Sequence, residues 1–241
     1  MATALARGWG DAVLCTDAIA ERAEALAAAT GGEAVSTNAE LAERSDLVVL
    51  CHKPVQLEEV AGQIGGRAKA IASILAGVPL SALEAAYPDT PVVRLMPNTA
   101  VEVGRGVLCF APGRLVDDEL AGEVLDLFGR TGTVVAVEER LIDVAMGLIG
   151  VAPAYVALIA EAWSDAGVAH GLPADLAAKL VVEAIAGSAD LLLAHEVDTL
   201  EVRRAVTTPG GVTAQGLAAL ERGGVRPAFR DAMDAVIGHL D

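Results

Sequence analysis

At 241 residues the chain is long enough for one large domain or two small ones. Its residues are 54% hydrophobic and only 3% aromatic, so the core has to be built from Ala, Val and Leu. The formal net charge of -16, from 33 acidic and 17 basic residues, excludes a general attraction to nucleic acid or to anionic membranes. Any anionic ligand must therefore be held locally, by helix ends and a few cations.

Cys15, Cys51 and Cys109 are isolated and odd in number, which predicts free thiols in a reducing compartment. The first residues lack the apolar core of a signal peptide. No uncharged apolar run reaches the roughly 18 residues of a membrane span. A soluble cytoplasmic protein is expected.

The first half alternates short apolar strands with helical segments. Val13–Cys15 reads as a strand, and Ala20–Thr30 as a helix stopped by Gly31-Gly32. A brief strand at Glu33–Ser36 and a short helix at Ala39–Arg44 follow. Leu47–Cys51 is apolar throughout, as a strand covered on both faces should be. Val55–Ile64 is helical, Lys69–Leu75 a strand, Leu80–Ala86 helical and Val92–Met96 a strand. This alternation predicts an α/β fold with a doubly wound parallel sheet of Rossmann-like type, binding ligands beyond the C-terminal strand ends. Gly104–Phe110, Asp117–Phe128 and Thr131–Val137 extend it as strand, helix and strand. Glu138-Glu139 then caps a helix running to Leu148. The domain boundary is placed there, with regions 1–138 and 139–241.

Beyond that boundary the strand signals stop. Tyr155, Leu158, Ile159, Ala162, Trp163 and Ala166 hold one helical face. Gly167, Gly171 and Pro173 break it. From Ala174 to Ala194 the pattern is apolar almost all round, with only Lys179, Glu183 and Asp190 as a polar stripe. A small helical half cannot bury such a helix within one subunit, so a partner chain is inferred.

The most informative stretch is Val206–Glu221. Thr208 suits an N-cap, Pro209 a first helical position, and Gly210-Gly211 let a ligand approach the backbone. The N–H groups of this turn, with a positive helix end behind them, form an anion cradle for a carboxylate or phosphate. Hydroxyls at Thr207, Thr208 and Thr213 flank it. The plain alternative is an ordinary glycine-containing helix cap.

This stretch resembles the C-terminal signature of the pyrroline-5-carboxylate reductase family: a hydroxyl pair, Pro-Gly-Gly, a Thr one residue later, then a small-residue helix ending in an acidic residue. Other segments resemble the same family in order. Cys51-His52-Lys53-Pro54 follows one strand, Ala76-Gly77 the next, and Met96-Pro97-Asn98-Thr99 the one after. Asn38 matches an asparagine near the cofactor ribose. Asp17, after the first strand, stands where an acidic residue meets a ribose 2′-hydroxyl. Ser164–Val168 and Gly171-Leu172-Pro173 match the helical dimerisation domain, as does the turn Ala152–Tyr155. The segment Ile149–Ala152 departs from the family, which has polar residues there.

The resemblance implies reduction of the C=N bond of 1-pyrroline-5-carboxylate to L-proline, the last step of proline biosynthesis, by hydride from NADPH or NADH. Thr208, Gly211, Val212 and Thr213 would hold the substrate carboxylate, and the Thr213 hydroxyl would meet the ring nitrogen. Met1, Ala2, Asp17, Asn38, Cys51, His52, Lys53, Pro54, Ala76, Gly77, Met96, Pro97 and Asn98 would bind the cofactor. A homodimer is implied, with substrate and cofactor meeting between the domains.

One expected part is not in the sequence. A dinucleotide fold opens with a strand and a Gly-x-Gly turn, whereas Met1–Gly8 resembles the helix after that turn. The expectation is that Met1 is an internal methionine taken as the start. The alternative is that another segment fills the gap. Two other functions compete: a non-catalytic dimeric member with lost cofactor binding, and a related dehydrogenase of another small imino or hydroxy acid. Hydroxy-acid dehydrogenases of this kind generally rely on a lysine in the first long helix of the second half, and Pro153–His170 has none.

Overall fold

A computed structural model describes residues 1–239. The chain divides into two compact units, residues 1–153 and 154–239. The division falls later than residue 138 because the helix that opens the second region is packed on the sheet of the first unit.

The first unit runs α1 (Ala2–Trp9), β1 (Leu14–Cys15), α2 (Ala20–Thr30), β2 (Glu33–Ala34), α3 (Asn38–Arg44), β3 (Val48–Leu50), α4 (Leu57–Ile64), β4 (Ile71–Ser73), α5 (Leu80–Ala86), β5 (Val92–Pro97), β6 (Gly106–Pro112), α6 (Asp118–Gly129), β7 (Gly132–Ala136) and α7 (Ile142–Ile149). Single 3-10 turns lie at Pro54–Gln56, Thr99–Val103 and Glu139–Leu141. The strand order is β3-β4-β5-β6-β7 in one sheet, with β1-β2 as a separate pair.

Alternation along β5 explains the layering. Val92, Arg94 and Met96 point to one face, and Val93 and Leu95 to the other. Val92 joins Val48, Leu50, Ile71 and Leu83 in one buried cluster. Val93 and Leu95 join Leu5, Leu108, Phe110 and Phe128 in another. Leu5, 1% exposed, fixes α1 onto that second layer, and Trp9 meets Phe128 edge-on at 5.2 Å.

The parallel expectation needs one correction. β3, β4 and β5 are parallel, as are β6 and β7, but β5 and β6 are antiparallel. Only residues 98–105 join them, too few for a crossover, so the chain turns back on itself.

The sheet is also broken. Among the described residues β1 pairs only with β2, and β3 only with β4. In the order 3-2-1-4-5-6 of a dinucleotide sheet, β2 and β1 take positions 3 and 2, and β3 takes position 4. The break therefore falls at the place of the first strand.

The second unit is helical: α8 (Ala152–Ala169), α9 (Ala174–Ala194), α10 (Thr199–Ala205), α11 (Val212–Arg222) and α12 (Val225–Ile237). Its interior is sparse. Ala177 and Val181 are the only buried residues among those described in it. Leu158, Trp163, Leu180, Leu193 and Leu200 are all exposed. The helical run Glu139–Ala169 is long and apolar enough to cross a membrane by length and composition.

Candidate active site

The first group of candidate residues lies along the C-terminal strand ends of the first unit. The first turn of α1 has no side-chain cap. Its first internal bond is Leu5 N–H to Met1 O, so the N–H groups of Ala2, Thr3 and Ala4 have no acceptor within the helix. Met1 sits near the end of β3: its ammonium pulls the Cys51 pKa down, against the larger effect of desolvation, which pushes it up to about 11. Cys51 is thus held as a thiol at neutral pH.

His52 and Lys53 complete that strand end. His52 Nδ1 lies 2.9 Å from Lys53 O, which makes Nδ1 the donor and leaves Nε2 bare. Nε2 is buried with no partner among the described residues. Lys53 caps the turn Pro54–Gln56 through its own N–H, bonded to Gln56 Oε1 at 3.2 Å. Its side chain is exposed and makes no ion pair among the described residues. A free cation and three unpaired helical N–H groups suit a ligand bearing phosphates, whereas the bare His52 Nε2 can only accept a hydrogen bond, from a donor such as a ribose hydroxyl.

The remaining strand ends divide between open and committed groups. Ala76 and Gly77 are exposed after β4, and Gly77 adopts φ +71°, which favours glycine. Asp17 is exposed and accepts the N–H of Ile19 at 2.9 Å. Asn38 opens α3 and donates to Gln63 Oε1 at 2.5 Å. Met96 and Pro97 are buried in β5 itself. Asn98 is nearly buried. Its Oδ1 accepts the N–H of Val107, and its backbone N–H donates to Val107 O, both at 3.2 Å. Its carbonyl side is spent on the β5–β6 turn, leaving only the amide nitrogen for a ligand.

The second group is the turn before α11. Here the helix starts later than expected, and Gly211 rather than Thr208 is its N-cap. Gly210 takes φ +71°, and the Gly211 N–H donates to Thr208 O at 3.0 Å. That closes a tight turn which keeps Thr208 and Pro209 outside the helix. The first internal bond is Gln215 N–H to Gly211 O, so the unpaired donors are Val212, Thr213 and Ala214. The Gly211 N–H is not among them. Gly211 contributes space instead: a Cβ there would collide with Thr208 Oγ1 and approach Thr208 O to 3.1 Å. Ala214 escaped the sequence reading because its role follows only from the shifted helix start.

Thr207 adds a further signal. Its Oγ1 is buried with no partner among the described residues, at the edge of the same turn. A buried hydroxyl without a partner is costly unless a ligand completes it.

Known proteins resemble this chain along most of its length. Residues 139–240 match the family described as pyrroline-5-carboxylate reductase dimerisation, and residues 1–77 one described as NADP oxidoreductase, coenzyme F420-dependent. The pyrroline-5-carboxylate reductase of Synechocystis sp. is 38% identical over 82% of this chain and 75% of its own length. The chain belongs to the pyrroline-5-carboxylate reductase family. The reductase of Corynebacterium melassecola is 36% identical over 89% of this chain and 82% of its own. Among solved structures, the Streptococcus pyogenes reductase superposes with a TM-score of 0.88 at 28% identity, covering 100% of this chain and 94% of that one. The Plasmodium falciparum pyrroline carboxylate reductase, solved with NADP bound, gives 0.86 at 28% identity, covering 99% and 92%. The chain accordingly carries a Rossmann-like nucleotide-binding region and a reductase dimerisation domain, and it is an oxidoreductase family member.

Proposed function

We propose that the chain reduces the C=N bond of 1-pyrroline-5-carboxylate to L-proline, as a cytoplasmic homodimer using NADPH or NADH. The observation that carries this reading is the Thr207–Thr213 turn, which places three unpaired helical N–H groups beside a buried hydroxyl and two threonine hydroxyls that have no partner among the described residues. A carboxylate there is held by the N–H groups of Val212, Thr213 and Ala214, with the positive end of α11 behind them. The Thr208 hydroxyl adds a bond. The Thr213 hydroxyl accepts the N–H of the ring nitrogen, holding its proton at that atom. A protonated imine needs no further acid, so the chain acts by positioning and by local electrostatics.

The cofactor is assigned to the first unit. The first-turn N–H groups of α1, starting at Met1-Ala2, and Lys53 are its phosphate partners. Asp17 and Asn38 are its ribose partners, and Cys51–Pro54, Ala76-Gly77 and Met96–Asn98 line its strand ends. When bound, the dihydronicotinamide supplies the hydride.

The second unit supports a homodimer. A unit with two buried residues among those described and many exposed apolar side chains on α8 and α9 is suited to pairing with a second copy. That same pairing accounts for the apolar Glu139–Ala169 run without a membrane.

The test is oxidation of NADPH and of NADH at 340 nm with pyrroline-5-carboxylate. It uses this chain beside a version bearing an apolar strand and a Gly-x-Gly turn ahead of Met1. Turnover by either chain upholds the reading. Loss of turnover in both, with intact dimers, would turn attention to the aliphatic Ile149–Ala152 segment and to another substrate.

A further inference from the structure

Arg94 is the most deeply buried charge in the first unit, with 1% of its surface exposed. It lies on β5 on the same face as Met96, two residues before the strand end assigned to the cofactor. Its two terminal nitrogens reach different carboxylates: Glu139 Oε1 at 2.7 Å and Asp143 Oδ1 at 2.6 Å. Both belong to the chain leading into and along α7. Glu139 Oε1 also accepts the N–H of Leu80 at 3.2 Å. Leu80 starts α5, three residues after Gly77. One carboxylate oxygen therefore ties together the segment after β4, the end of β5 and the entry to α7.

The surrounding packing repeats that connection. Met96, Cys109, Ala111 and Ile142 form one buried cluster, with Leu80, Met146 and Ile149 against it. An apolar cluster of this kind already holds α7 down. A buried ion pair adds little to stability over a well-packed apolar residue, and its best-attested use is to fix one arrangement against its neighbours. The partners also leave Arg94 imperfectly satisfied, since its Nε is buried with no acceptor among the described residues. Position, rather than stability, is what this cluster provides.

We infer that Arg94 is a positioning residue for the reductase reaction. Clamped by Glu139 and Asp143, it sets α7 and the strand ends Ala76-Gly77 and Met96–Asn98 in one register. Its own contacts are to Glu139 and Asp143, and it acts through them and the segments they hold. The inference rests on the cofactor assignment above.

The experiment compares Arg94→Met, Arg94→Lys and Asp143→Asn with the unaltered chain. Arg94→Met keeps the volume apolar, and its two abandoned carboxylates are partly solvent-exposed. Asp143→Asn removes one charge and is the gentler variant. Hydrogen exchange and kinetics are read on each. For Arg94→Met, exchange across 78–82, 96–101 and 139–149 is expected to quicken about tenfold, with 20–30 in α2 unchanged and Tm within a few degrees. The kcat is expected to fall about tenfold while the KM for pyrroline-5-carboxylate stays within twofold. Arg94→Lys, which keeps one charge contact, should fall between. Unchanged local exchange in Arg94→Met, or unfolding of the whole unit with an unaltered kcat below Tm, overturns the inference. If the unaltered chain reduces no pyrroline-5-carboxylate, the functional reading fails, and hydrogen exchange still decides whether Arg94 sets these segments.

Discussion

Thr213 and Tyr87 show two different consequences of a hydroxyl in this chain. Thr213 opens α11 with its N–H unpaired, and its hydroxyl is assigned to the reacting nitrogen. Thr213→Ala keeps the N–H donor and removes only that hydroxyl. On this reading kcat falls on the order of 10²-fold with the dimer intact. An unchanged rate would remove Thr213 from the chemistry. Tyr87 instead is buried in the core with its hydroxyl unpartnered among the described residues. Burial pushes its phenol up to about 12, from about 10 in an unfolded chain. Between these values the unfolded chain releases the proton first. Tyr87's contribution is therefore full below pH 10 and is lost as the pH rises towards 12. Tyr87→Phe should remove that share of the alkaline loss and stabilise the neutral-pH fold by on the order of 1 kcal/mol. Denaturant midpoints of both chains from pH 8 to 12 check this. Parallel curves would mean that folding does not raise the Tyr87 phenol.

At the scale of elements, continuous apolar runs made the central strands legible. Val92–Met96 reads as a buried strand and is one, whereas of Leu47–Cys51 only Val48–Leu50 is strand, with Val48 and Leu50 buried and Cys51 exposed. Their neighbours were harder to read. The antiparallel β6 depends on the shortness of its connection, which periodicity does not register. α10 is short and has a weak apolar stripe, and it is announced chiefly by Asp198, whose carboxylate caps the N–H groups of Leu200 and Glu201. The Pro-Gly-Gly stretch was legible as a helix entry, but not its start. Pro209 is compatible with a first helical position, whereas the left-handed Gly210 forces a turn first. The buried Arg94 cluster was missed because its partners lie 45 and 49 residues away. The turn before α11 makes its own prediction. Gly211→Ala drives a methyl group into Thr208, displacing the donors that follow. Its kcat/KM for pyrroline-5-carboxylate should drop at least about tenfold, with NADPH affinity by fluorescence unchanged. Equal loss of both would place the fault in the overall fold instead.

At the scale of the whole molecule, the two units are stabilised in different ways. The first has layered clusters on its sheet, although that sheet is broken between β1 and β3. The second leaves its apolar surface open, and the charge of -16 sets a repulsive background against any second copy. Association must therefore rest on apolar burial, which salt strengthens by screening. A thermal midpoint that rises with protein concentration is expected, because folding and pairing of the second unit are linked. Leu158→Asp provides the decisive comparison. Leu158 is 64% exposed within one chain, so in a monomer the change should cost no more than about 0.5 kcal/mol. In a dimer paired through α8 it places a charge inside the apolar contact, where an unpaired charge is strongly disfavoured. Sedimentation at micromolar concentration should then show monomers, with the concentration dependence of Tm abolished and turnover lost. A dimer that persists in Leu158→Asp with its Tm unchanged would move the interface away from α8, and the exposed face of α9 around Leu180 and Leu193 would be the next to alter.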